Sequence, residues 1–184
     1  MPYSYKITES NLYVTITAAK NTEITDINQT LSQLDKQVGE KTYQLFDADK
    51  IADQHQLYYA AANAYYAMEN GGNISNKLEV ETLLYASTQN QISKAIKLIG
   101  VSGKTKRIAV VVVSEQENDP TAKKIAEYLG DIDDKALEMN QEKYEALKKL
   151  YEITDKAIET VGCDRYKALT SLITEKSTLI SLRR

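Results

Sequence analysis

A chain of 184 residues with 42% hydrophobic and 27% charged side chains is long enough for one domain with a substantial core, expected to span residues 1–184. A net charge of −3 excludes a protein that is basic overall and grips nucleic acid non-specifically, so any such contact must be local. The single cysteine, Cys163, excludes an intrachain disulfide and a thiolate metal cluster. No apolar run approaches the roughly 20 residues that cross a bilayer.

The first residues, MPYSYKITESNLYVTITAAK, lack the charged-then-apolar order of a secretion signal, and the sequence reads as cytoplasmic. "YSYKI" and "NLYVTITA" alternate as two strands meeting at the "TESN" turn. Ile24, Ile27, Leu31, Leu34 and Val38 then recur at helical spacing, with Gly39 as the stop. "KTYQLFDA" is a third strand. A long helix is expected from Asp47 or Asp49, as N-cap, to Asn70. Ile51, His55, Tyr58, Tyr59, Ala62, Tyr65 and Tyr66 form its apolar stripe. Two shorter helices follow, from Ser75 to Ser87 and from Gln89 to Leu98.

"KRIAVVVVS" does not alternate and reads as a strand covered on both faces. After Asp119-Pro120 the pattern is helical to the end, in three segments: "TAKKIAEYLG", "NQEKYEALKKLYEITDKAIETVG" and "DRYKALTSLITEKSTLISL". The order predicts an α/β (α+β) fold, with a small, largely antiparallel sheet surrounded by helices and a helical C-terminal part.

Catalytic chemistry is hard to place. His55 is the sole histidine and, on an apolar stripe, reads as a packed residue. Cys163, after Gly162, reads as small packing. Asp131, Asp133 and Asp134 lack the distal glutamate of a calcium loop and read as solvated. No glycine pattern fits a phosphate-binding loop. The sequence therefore predicts no catalytic residue, no metal and no cofactor.

A charge asymmetry is more informative. Between Thr82 and Ser114 there is no Asp or Glu, while Lys94, Lys97, Lys104, Lys106 and Arg107 fall in that window. Such a face suits phosphate. Beside it, Asn73, Asn76, Gln89, Asn90 and Gln91 suit the base edges of a flexible single strand.

Residues 45–101 carry a resemblance. "DADKIADQHQLYYAAANAYYAMENGGNIS" and "LEVETLLYASTQNQISKAIKLIGV" are similar to the accessory-subunit family of the KEOPS complex, that of the PRPK-binding protein (TPRKB). The family commonly has arginine where this chain has Asn90, and "EKSTLISL" is more polar than the family's terminal apolar helix. The resemblance implies a non-catalytic subunit of a tRNA threonylcarbamoyl-adenosine modification complex. Its implied partners are the complex's small kinase/ATPase subunit and the single-stranded CCA 3′ end of tRNA, with no membrane and no metal. The implied tRNA site is the "GGNIS" turn, with Gly72, Asn73, Ile74, Ser75 and Lys77, and the "STQNQI" break, with Gln89, Asn90, Gln91, Lys94 and Lys97. Two helix beginnings with free N–H groups would cradle the phosphate-sugar end. The implied kinase surface is Leu172, Leu179, Ile180 and Leu182. The alternative is a protein-interaction regulator of the kinase subunit with no direct RNA binding. A small enzyme using His55 or Cys163 is the least favoured reading.

Overall fold

The computed structural model describes residues 2–180, and Leu182 therefore lies outside the described residues. The chain forms two compact units: residues up to Asp49 with Gly100–Leu137, and Lys50–Ile99 with the residues from Glu138 onward.

In the first unit, β1 (Tyr3–Lys6), β2 (Tyr13–Lys20), β3 (Thr42–Asp47) and β4 (Arg107–Ser114) form a sheet of order β1-β2-β4-β3. Every pairing is antiparallel. β4 is central, which explains its unalternating run: Ile108 to Val113 are all buried. On one face Ala19, Leu45, Ile108, Val110 and Val112 pack against Ile24 and Leu34, the latter in α1 (Ile27–Val38). Ala122, Ile125, Ala126 and Leu129 of α5 (Pro120–Leu129) close the cluster. Ile27, Leu31 and Val38 are half-buried against it, so the predicted helical face is the one used.

Asp119 caps α5 and Pro120 opens it, as the dipeptide predicts. The segment "GDIDDK" is largely solvated, as expected, but is not an irregular loop. Asp131–Ile132 is a fifth strand, β5, paired to the end of β2. Asp131 accepts from Asn21 (2.8 Å), Asp133 pairs with Lys20 (3.2 Å) and Asp134 accepts from Thr17 (2.6 Å). Gly130 permits this approach, because a Cβ there would stand 2.3 Å from the Lys20 carbonyl oxygen.

The second unit is helical: α2 (Gln54–Glu69), α3 (Leu78–Ser87), α4 (Ile92–Ile99), α6 (Gln141–Leu150), α7 (Asp155–Val161) and α8 (Arg165–Thr178). α2 begins later than the sequence suggests. Asp47 instead accepts the N–H of Asp49 (3.2 Å) and leads a single 3₁₀ turn over Ala48–Lys50. The helix cap is Asp53, whose carboxylate accepts the N–H groups of His55 and Gln56. Of the predicted stripe only Ala62 is buried on α2, with Ile51 buried just ahead of the helix. Gln56, Leu57, Ala60, Ala61 and Ala64 point inward, while the tyrosines are half-buried or exposed. The small residues let neighbouring backbones approach closely, and the bulky phenols keep their hydroxyls near water.

The expected long helix from Asn140 to Gly162 is interrupted after Leu150, giving α6 and α7. The cause is Tyr151, whose ring is buried and whose hydroxyl joins a network with Gln56. Its carbonyl accepts from Lys176 (2.5 Å) instead of continuing a helical ladder. Thr154 restarts the helix by accepting from Ala157.

Candidate nucleic-acid and partner interface

α2 ends at Asn70, and Gly71 turns the chain with φ 69°, a region favouring glycine. The turn that follows is locked by its own residues. Asn73 donates to the Ser75 carbonyl (3.0 Å), and the Glu81 carboxylate accepts the N–H groups of Ile74 (3.1 Å) and Ser75 (2.9 Å). Glu81 is fully buried. The backbone donors expected to await an external anion therefore already hold a carboxylate from the first turn of α3. Nor is Ser75 a helix cap: α3 begins at Leu78, with Lys77 at the cap position and no side-chain cap bond.

The turn nevertheless borders a cleft of about 590 Å³. Gly72, Asn73 and Ile74 form one wall, and Asn63, Tyr66 and Asn70 of α2 form the other. These three residues had no place in the sequence-derived site, yet their spacing of i, i+3 and i+7 puts them on one helical face. The cleft offers amide donors and acceptors beside a phenol ring. Lys77 is exposed and Ser75 half-buried.

The second break is also built differently from expectation. Thr88 is the C-cap of α3, not the N-cap of the next helix, and its φ of 56° is left-handed. A β-branched residue is strained there. Thr88→Gly is expected to stabilise the protein by about 0.5–1 kcal/mol, read from a denaturation midpoint, and a loss of stability would contradict that strain. α4 starts at Ile92, so the two helix beginnings stand at opposite ends of α3, about 15 Å apart along its axis for ten residues at about 1.5 Å each. They form two separate contact points, not one cradle.

Gln89 is half-buried, and Asn90, Gln91, Lys94 and Lys97 are exposed. Ile92 and Ile96 lie one turn apart on the same helix, 39% and 52% exposed. Among the described residues neither Lys94 nor Lys97 has a salt-bridge partner. The other cations of the acid-free window, Lys104, Lys106 and Arg107, belong to the first unit, where Arg107 pairs with Asp49 (2.6 Å).

Of the apolar residues on the C-terminal helical segment, Leu172 is half-buried, Leu179 is 37% exposed and Ile180 is buried. Leu172 and Leu179 line a shallow groove of about 190 Å³ with Ala157 of α7.

His55 is not packed. With α2 starting at Gln54 it sits in the first turn, its side chain 50% exposed and its ring 3.7 Å from the Asp53 carboxylate. Cys163 is exposed between α7 and α8 rather than buried. Among the described residues no cluster of His, Cys, Asp and Glu could hold a metal ion, and no helix is long and apolar enough to cross a membrane.

An antiparallel sheet unit and a helical unit bearing an amide-lined cleft and a lysine-bearing helix describe a protein of mixed α/β class. Residues 21–180 match the family described as kinase binding protein CGI-121, and the chain belongs to that family. It is also 30% identical over 112 residues to the regulatory protein Cgi121 of Methanocaldococcus jannaschii, an alignment spanning 60% of this chain and 70% of that one.

Proposed function

We propose that this protein is a non-catalytic, cytoplasmic accessory subunit of the KEOPS tRNA-modifying complex, working as one functional domain. It binds the complex's small kinase/ATPase and the single-stranded CCA end of tRNA, without metal or cofactor. The kinase half rests on membership of a kinase-binding family. Leu172 and Leu179 are the apolar contacts, Ile180 supports them from within, and Leu182 extends the same sequence stripe.

The RNA half rests chiefly on the cleft beside Gly72, Asn73 and Ile74, which suits an unstacked nucleotide read by amides and an aromatic ring. Ser75 and Lys77 follow these residues in the same turn and are the next contacts proposed for the strand. Gln89, Asn90 and Gln91, with Lys94 and Lys97, offer a second contact for the strand's phosphates. With few phosphates engaged, the salt dependence is shallow.

One observation favours the alternative of a kinase regulator with no direct RNA binding: Glu81 already satisfies the turn's backbone donors. The double substitution Lys94→Glu, Lys97→Glu separates the readings. The first reading expects tRNA affinity to fall at least about tenfold while the kinase still co-purifies, in line with roughly uniform losses for lost phosphate contacts. Undiminished tRNA binding would overturn the role of α4.

A further inference from the structure

A second cleft, of about 540 Å³, lies in the helical unit away from the turn and is not used by either reading above. Two hydrogen bonds orient its walls. Thr170 donates to the Asp53 carboxylate (3.1 Å), and Asn63 donates to the Thr178 hydroxyl (3.3 Å). Position therefore increases together along α2 and α8, and the helices run parallel. Lys167, Ser171 and Thr174 line the α8 side, while His55 and Tyr59 line the α2 side. From Lys167 to Thr174 is about 10 Å along the axis, at roughly 1.5 Å per residue.

The ends differ in chemistry. Lys167 at one end has no salt-bridge partner among the described residues, and the half-exposed His55 ring lies on the facing helix. The one carboxylate in the wall, Asp53, is engaged by two backbone N–H groups and the Thr170 hydroxyl, and it also stands 3.7 Å from the His55 ring. In the middle, Ser171 is exposed, with no hydrogen-bonding partner among the described residues. One turn beyond His55, the ring of Tyr59 is 46% exposed.

We propose that this cleft binds a free nucleoside monophosphate. Lys167 and His55 hold the phosphate, Ser171 and Thr174 meet the sugar hydroxyls, and the base lies on the Tyr59 ring.

Because His55 is the only histidine, its ring proton signals in NMR report on this cleft alone. Titrating the full-length protein with AMP is expected to shift them saturably, with affinity at least fivefold above that for inorganic phosphate or adenosine. Lys167→Glu, a change at an exposed site, is expected to weaken that response at least tenfold while thermal melting stays unchanged. The Lys94→Glu, Lys97→Glu protein is expected to respond like wild type, which keeps this test separate from the tRNA reading. No saturable shift with AMP, a shift unaffected by Lys167→Glu, or a shift produced by tRNA but not by AMP would each overturn the proposal.

Discussion

Replacing Gln56 with leucine is expected to remove roughly 3 kcal/mol of stability, the largest single-residue effect anticipated in the helical unit. The side chain is 1% exposed and fully engaged. Its carbonyl accepts the Ala52 N–H (2.7 Å), and its amide donates to the Ala86 carbonyl (2.9 Å) and to the Tyr151 hydroxyl (2.8 Å). Leucine fills similar space but leaves a buried N–H and a buried carbonyl short of partners, each costing about 1–3 kcal/mol. Tyr151 in turn donates to the Lys50 carbonyl (2.9 Å), so Tyr151→Phe is expected to lose less, about 1–2 kcal/mol.

Urea denaturation checks both, and a Gln56→Leu midpoint equal to wild type would show the network to be dispensable. Burial pushes the Tyr151 phenol above its ordinary value of 10.0, although the bond from Gln56 opposes the shift. A group with a raised folded-state value contributes its stability below the unfolded value and loses it as pH rises. The helical unit is therefore expected to weaken above about pH 10.

Asp119→Ala is expected to cost about 2–3 kcal/mol, through a lost helix cap and a lost buried ion contact. Burial alone would raise this carboxyl. Hydrogen bonds from the Thr121 hydroxyl and amide, then from Ser114 and Lys41, outweigh it and hold the value at about 2 against an ordinary 3.8. Lys41 lies 3.3 Å away, and the Asp119 N–H is itself held by Thr15 (3.1 Å). Since the folded value is depressed, the contribution is complete above pH 3.8 and drains as pH falls toward about 2. The difference is worth about 2 kcal/mol. Acid titration of stability should therefore be less steep over that window in Asp119→Asn than in wild type. Identical acid profiles would assign the window to other carboxylates.

Much of the fold was legible where one signal dominated. The unbroken "IAVVVV" run could only be a doubly covered strand, and the five residues from Ile24 to Val38 fix which face α1 turns inward. Misreadings arose where local patterns competed. The sequence offers Asp47 or Asp49 as the cap, whereas the folded chain uses Asp53. The tyrosines of α2 count as apolar in periodicity, yet alanines occupy the interior because bulky rings would hold the helices apart. The break at Tyr151 depends on partners 95 residues earlier, beyond any local pattern.

The candidate site divides similarly. Gly71 and Gly72 do mark a turn at a cleft, and the exposed α4 lysines match the acid-free window. Glu81 was invisible as an occupant of the turn because its position in the first turn of α3 looks like ordinary helix-end charge. Asn63, Tyr66 and Asn70 were readable as one face but lay inside a helix already assigned to packing.

The most direct measurement compares polarisation binding of labelled intact tRNA with the same tRNA trimmed of its CCA end, using the wild-type chain. The expected result is a loss of at least about tenfold on trimming, as for removal of stacked bases worth about 1–3 kcal/mol each. Equal affinity for the two RNAs would contradict it and leave a protein that meets only its kinase.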